Sequence, residues 1–446
     1  MHDWSFGDVR LSRRAERLCE ALVATGSVVL RRIGGNRAGE IAAHRFLDNE
    51  RVSPQAILDT LCARTTRACA GRRILVIQDT TEINFSGRDV ARRGLGRAAG
   101  DKSVGFFIHP LVAVDMDEGA VLGLVDAKIW TRPEGPAPNR RRTPFANKDS
   151  ARWLWGVERV AQCLHEAREL VVVGDRESDI YALFARCPQA VRLVVRASHN
   201  RHLPAGGRLF EQKNLREWGQ MDVSIAARPG QKARTARVVL RSGMVRLGRP
   251  PDSMERQDPA ELEVYYVEAV EPTPPRRAQA VCWRLLTTLP VETEADARQV
   301  VEIYRLRWRI EEVFRALKRG GLDLEATQVE EAQRLFKLSA LAIAAAVRIV
   351  QLVDARDGSS RPASDVADPA LFEAFEAIGR QLEGKTQRQK NPHPKGSLAW
   401  LSWIVARLGG WNCYYKPPGP KTMATGWKQL AAITTGFLLA NTLKDV

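Results

Sequence analysis

Two strand-like runs end in an aspartate, and one helix-like run carries a glutamate among cations. In RRILVIQDTTEINF, Asp79 follows the β-branched run at 74–77, and in RELVVVGDRESDIYALF, Asp175 follows the apolar run at 170–173. Both read as buried strands with a carboxylate at the end. IYRLRWRIEEVFRALKRG spaces Tyr304, Arg307, Glu311 and Lys318 three, four and seven apart. At about 100° per residue these four fall within roughly a 60° sector of one helix, with Arg315 about 20° further round. The adjoining side, with Ile303, Leu306, Ile310, Val313, Phe314 and Leu317, is apolar and would anchor the helix to a core. A strand-end aspartate is ordinarily a turn or N-cap residue, and an Arg307 to Glu311 ion pair would account for an exposed face. Two such aspartates together with a helical glutamate amid cations point instead to a metal site.

Oxygen-only ligands select magnesium, with manganese able to substitute, whereas zinc needs His or Cys. Such ions activate a water or hydroxyl and steady the leaving oxygen in phosphoryl transfer, commonly as a pair. The expected substrate is a phosphodiester. Charge agrees with that: the 446 residues hold 68 Lys and Arg against 52 Asp and Glu, a net +16, and the pI is near 9.9, so polyanions are attracted. Arginine supplies the visible basic clusters, Arg140, Arg141 and Arg142 and the pair Arg276 and Arg277, and its fork suits phosphate. The seven cysteines form no CxxC pair, and their odd number argues against a disulfide framework. The decapeptide MHDWSFGDVR has no charged-then-apolar signal pattern, and the longest apolar stretch, 340–347, is short for a bilayer span. These features lead us to expect a soluble, cytoplasmic protein.

The elements that must position the three acids read as follows. Residues 1–70 look all-helical, with helices at 11–24, 37–48 and 54–70, the last between a Ser53 cap with Pro54 behind it and a Gly71 stop. Arg10, Arg13, Arg14, Arg17, Arg31, Arg32 and Arg37 make this unit basic. Strands are expected at 74–79, 109–115 and 120–130, then a helix at 150–167, the strand before Asp175, a helix at 179–187 and a strand at 191–196. This α/β alternation makes a mixed sheet with helices packed on it. A β-rich insertion at about 205–290, with strands at 221–226, 235–241, 262–271 and 281–288, separates Asp175 from Glu311. After Lys318 the chain reads as helical to about 353, and the tail ends in an apolar helix at 427–443. The apolar positions Leu398, Trp400, Leu401, Trp403 and Ile404 read as core.

Tyr304, Arg307, Glu311 and Lys318 in YRLRWRIEEVFRALKRG resemble the Y-R-E-K motif of the insertion-sequence-four-like DDE transposases. DTT at Asp79 and DRESDI at Asp175 resemble that family's other acidic motifs, and AAHRFLDNERVS at 42–53, VVRASH at 194–199 and WRLLTT at 283–288 extend the similarity along nearly the whole chain. The resemblance implies a ribonuclease-H-like core at 71–355 carrying the β insertion, a helical DNA-binding domain at 1–70, and a helical dimerisation region at 356–446. It selects Asp79, Asp175 and Glu311 as the catalytic, metal-holding triad, where chemistry alone leaves Glu177, Asp179 and Glu312 as competitors. It assigns Arg196, Tyr304, Arg307, Arg315 and Lys318 to DNA phosphates and Trp283 and Trp308 to stacking on an extruded base. The implied activity is cut-and-paste transposition on double-stranded DNA by a homodimer on paired ends, through cleavage, end hairpinning and strand transfer. A catalytically silent DNA-binding or inhibitory derivative, or a metal-dependent nuclease of the same fold, would share most of these features. Arg315 stands where a member of that family has a lysine, which keeps charge and alters geometry.

Overall fold

The computed structural model describes residue 4 and residues 6–85, 93–98, 104–132, 143–225, 233–276, 278–318 and 321–442, with side chains through 437. Arg140, Arg141, Arg142 and Arg277 of the basic clusters lie outside these residues, as do positions 226 and 443 at two expected element ends.

Four helices open the chain: α1 (Val9–Thr25), α2 (Leu30–Gly34), α3 (Arg37–Asp48) and α4 (Pro54–Cys69). Their ends follow from local chemistry. Gly26 closes α1 with a left-handed φ of 56°, and the Ser53 side chain caps α4 with Pro54 in its first turn. The short α2 has no side-chain cap and was not foreseen.

Next come β1 (Arg73–Gln78), β2 (Thr81–Asn84), β3 (Gly96–Arg97), β4 (Val104–Asp115), β5 (Val121–Trp130), α5 (Ala151–Cys163), β6 (Glu169–Gly174), α6 (Tyr181–Ala185) and β7 (Val191–Arg196). In space β5, β4 and β1 form an antiparallel meander, and β6 and β7 continue from β1 in parallel. This five-strand order is the ribonuclease-H-like arrangement, flanked by helices. β1 and β6 are central and covered on both faces, which is why they read as unbroken apolar runs. Their register pairs Ile77 with Val173, so two residues on, Asp79 and Asp175 leave the same sheet edge side by side. Helix α5 closes over this edge through Gly156, where a Cβ would stand 2.4 Å from Gln78 Oε1 and 2.9 Å from Leu111.

The β-rich insertion is not a separate layer. β8 (Arg216–Ile225), β9 (Arg234–Gly248), β10 (Glu261–Val270) and β11 (Cys282–Thr287) extend the same sheet, with β11 antiparallel to β7. β11 therefore leads away from the edge of the two aspartates, and α7 carries the chain back to it, where Tyr304 meets Arg196 and Arg307 meets Asp79.

Those helices depart from the single helix expected. α7 (Glu294–Leu306) and α8 (Arg309–Leu317) are separated at Arg307 and Trp308. Four successive short-range bonds tighten the joint: Arg307 N–H to the Tyr304 carbonyl, Trp308 to Arg305, Ile310 to Arg307 and Glu311 to Trp308, all 3.1–3.3 Å. This is a turn of 3₁₀ geometry inside an otherwise helical run. The helical reading of 318–331 is also corrected: Leu322 N–H returns to the Ala316 carbonyl at 2.8 Å and Asp323 takes a φ of 50°, so α8 stops. The next long helix is α9 (Ala332–Ala355), followed by α10 (Phe372–Leu382), α11 (Leu398–Leu408) and α12 (Pro420–Thr442).

By length and composition α9 could cross a membrane, a possibility the 340–347 stretch alone did not suggest. Its most apolar window is 94% buried within the fold, as befits the central helix of a protein core. One continuous apolar cluster runs from Trp4 through β1, α7, α8 and α9 to Leu430. The amino-terminal helices are thus packed onto the rest of the described chain.

Candidate active site

Asp79 is held by two donors. Its Oδ1 accepts the Thr80 N–H at 2.7 Å and its Oδ2 accepts Arg307 Nη1 at 2.9 Å. Asp175 caps the 3₁₀ turn Arg176–Ser178, accepting the Glu177 N–H at 2.8 Å, and the Ser178 hydroxyl donates to the Asp175 carbonyl at 2.6 Å. Burial and the neighbouring Asp175 charge push the Asp79 carboxyl up to about 7, with Glu311 adding to them against the opposing pull of Arg307 and the Thr80 N–H. Arg307 is also shifted upward. Burial works against its charge, but Tyr304, Asp79, Asp175 and Glu311 together outweigh burial and raise its proton affinity. The two strand-end acids and the α8 glutamate therefore share one electrostatic neighbourhood, with Arg307 at its centre.

Among the described residues, no three His, Cys, Asp or Glu side chains are gathered closely enough to hold a metal ion as they stand. The set nevertheless suits a hard divalent cation. All the donors are carboxylate oxygens, and burial together with the neighbouring Asp175 charge raises the Asp79 carboxyl, a cost that a bound cation would offset.

Arg196, at the end of β7, donates to the Tyr304 hydroxyl at 3.4 Å and to the Cys282 carbonyl at 3.4 Å. Tyr304 is buried, with the Trp283 ring edge-on at 5.4 Å. Arg307 is buried on Asp79, Arg315 is exposed, and Lys318 is half-buried at the α8 end. The expected single face is thus divided: Tyr304 and Arg307 point into the fold, and Arg315 lies outside it. The tryptophans divide likewise, since Trp283 is 9% exposed in the core and Trp308 is 42% exposed beneath the Arg307 guanidinium at 5.2 Å.

The competitor acids are engaged elsewhere. Glu177 pairs with Arg152 at 2.5 Å and Glu312 with Arg309 at 3.1 Å. Asp179 binds the backbone N–H groups of Ser198 and His199 together with Arg201, and so fixes the loop after β7.

A polar chain behind the acids had no sequence signal. Arg152 on α5 is buried and donates through Nε to Thr80 Oγ1 at 2.8 Å, through Nη1 to the Asp149 carbonyl at 2.8 Å, and through Nη2 to Glu177. Thr80 also bonds His109 Nδ1 at 2.9 Å, and His109 Nε2 meets Gln78 Oε1 at 3.2 Å. Burial, then Arg152 and Lys128, hold His109 uncharged. Arg152 thereby ties the residue after Asp79 to the residue two beyond Asp175. These partners lie 72 and 25 positions from it in sequence, so spacing within one segment could not disclose them.

The sheet order, with acids at its edge, is that of a ribonuclease-H-like core. Residues 156–348 match the family model of the transposase DDE domain, a span that includes Asp175, the whole β extension and Glu311 and begins after Asp79. The match supports a transposase of the DDE type. The chain is also similar to piggyBac transposase in a cryo-EM structure of its synaptic complex with hairpin DNA, at 11% identity and a TM-score of 0.34, over 74% of this chain and 63% of that one. The alignment therefore spans less than two thirds of that chain's length.

Proposed function

We propose that this chain is a DDE transposase of the insertion-sequence-four-like group that excises and inserts DNA by a cut-and-paste route. The observation that carries the reading is the in-register exit of Asp79 and Asp175 from parallel β1 and β6, with Glu311 on α8 close enough to act on the Asp79 carboxyl electrostatically. Asp79, Asp175 and Glu311 would hold magnesium, which supplies an activated water or hydroxyl and neutralises charge on the leaving oxygen. Water adds to the phosphorus of the scissile diester, and the departing 3′ oxygen takes a proton to become the free hydroxyl. That hydroxyl then attacks a phosphodiester of the opposite strand, releasing the flanking strand's 3′ oxygen as a hydroxyl and closing a hairpin; water reopens the hairpin, and the regenerated 3′ hydroxyl attacks a target phosphodiester and displaces its 3′ oxygen. Lys318 and Arg315 hold phosphates beside the acids, and Arg307 and Arg196 fix the acid centre and Tyr304. Residues 1–70 are assigned to DNA binding, 71–355 to chemistry and 356–446 to dimerisation on paired ends, in a cytoplasmic protein.

The test is to incubate purified protein and magnesium with labelled duplex carrying the DNA that flanks the reading frame. Hairpinned ends support the proposal. Nicks alone would identify a nuclease, and shifted but uncut DNA a silent derivative.

A further inference from the structure

Helix α9 buries four polar side chains along its length, and three of them are accounted for; Ser339 donates to the Leu335 carbonyl at 2.7 Å. Lys337 donates to the Leu47 and Asn49 carbonyls, each at 2.9 Å, and Gln351 donates to the Leu122 carbonyl at 2.7 Å. Arg348 is the exception. It is 8% exposed, and among the described residues its guanidinium has no hydrogen bond or ion pair; its one ring contact is with Trp427, 5.8 Å away. A buried guanidinium carries five donors and a full charge, so an unmatched one is costly unless something supplies acceptors.

Arg348 lines a cavity of about 700 Å³ enclosed by α1, α4, α9, α12 and the segment before α10. A second arginine, Arg64 of α4, lines the same cavity and is likewise without a hydrogen bond or ion pair among the described residues. Burial and the adjacent Arg348 push its pKa down to about 10, against the opposing pull of Asp365 and Glu16. Acids do line the wall, but they are turned to other work or disfavoured as anions. Glu16 accepts the Trp4 indole N–H at 2.7 Å, Asp368 accepts the Ala370 N–H at 3.0 Å, and burial together with Glu16 raises the Glu20 carboxyl. Leu371, Phe375 and Leu430 supply an apolar part of the wall, and Arg13, Arg17, Ser364, Thr434 and Thr435 also line it. The volume is that of a small-molecule site, with a few convergent polar groups in an apolar setting.

We infer that this cavity binds an amphipathic organic anion, its carboxylate or phosphate head on Arg348 and Arg64 and its apolar body against Leu371, Phe375 and Leu430. A two-oxygen head matches the guanidinium fork of Arg348, and the Trp427 ring lies 5.8 Å from that group. An occupant touches α1, α9 and α12 at once, and so joins the amino-terminal helices to the last helix through the central one. The site lies apart from the acids at the sheet edge, and its occupancy is independent of whether those acids cut DNA.

The experiment uses the full chain and three probes: decanoate, decanol and inorganic phosphate. Trp4 and Trp427 line the cavity, so intrinsic fluorescence reports occupancy, and the melting temperature rises with a ligand that binds only the folded state. Decanoate is expected to saturate at one site and raise the melting temperature, with decanol and phosphate each binding at least about tenfold more weakly. Arg348→Met and Arg64→Gln, each checked for a cooperative melt, should separately weaken decanoate by about tenfold or more. Two variants are used so that loss of folding in one leaves the other informative. Absence of decanoate binding at millimolar concentration, equal binding of decanol, or unchanged affinity in both variants would overturn the inference.

Discussion

Arg307 Nη1 lies 2.9 Å from Asp79 Oδ2, across 228 positions of sequence, and this buried contact joins the strand-end acid to the joint between α7 and α8. It pairs Arg307 with Asp79, in addition to the DNA-phosphate role that the family resemblance implies for it. Removing Arg307 alone leaves a buried carboxylate without its cation. Arg307→Met is therefore expected to destabilise the protein more than the same change made in an Asp79→Asn background, with a coupling of about 0.5–3 kcal/mol. Urea unfolding of the four proteins of the cycle measures it, and strict additivity would mean that the pair contributes no interaction of its own.

Arg152 should behave as a positioning residue. It touches Thr80 and Glu177 and neither Asp79 nor Asp175 directly. Arg152→Met is expected to lower divalent-ion affinity, read by manganese titration calorimetry, by about 10–100-fold, the usual effect of losing a group that orients ligands. Arg152→Lys should recover part of that affinity. If Arg152→Met binds manganese as the parent does, the polar chain serves folding only.

The two tryptophans should separate by stability. Trp283 packs edge-on against Tyr304 inside the core, so Trp283→Ala is expected to cost about 3–5 kcal/mol. Trp308 is 42% exposed, and Trp308→Ala should cost less than Trp283→Ala, about 1 kcal/mol, while reducing hairpin formation relative to nicking. Should Trp308→Ala leave the ratio of hairpin to nick unaltered, base stacking by that ring is excluded.

Phosphate contacts should appear in the salt dependence of duplex binding. With Arg307 committed to Asp79, the available cations on α8 are Arg315 and Lys318. Each neutralised phosphate adds about 0.9 to the slope of log affinity against log salt, so Arg315→Gln with Lys318→Gln should flatten it by roughly 2. An unchanged slope would return both to ordinary surface charge.

Much of this site is legible in the sequence because its parts are local. The apolar runs before Asp79 and Asp175 read as buried strands because parallel strands covered on both faces cannot alternate in polarity, and Ser53, Pro54 and Gly26 mark helix ends through groups bonded within a few residues. The joint at Arg307 was missed because both of its residues are compatible with a continuous helix; the tightened turn accompanies a tertiary contact with Asp79. Arg152, Thr80 and His109 were missed for the same reason, since their partners lie on different elements and nothing in RRTPFANKDSARW distinguishes a buried arginine from a solvated one. The β extension was recognised as strands, but its membership in the central sheet depends on the pairing of β11 with β7, which alternation within one segment does not encode.

The central claim is that Asp79, Asp175 and Glu311 act together as the divalent-ion site for DNA cleavage. The most direct test is single-turnover cleavage of flanking-end DNA with magnesium by Glu311→Gln beside the parent chain, with binding of the same DNA measured in parallel. The account predicts that the variant binds the DNA with near-parental affinity and leaves it uncut. Cleavage by Glu311→Gln at the parental rate would contradict it.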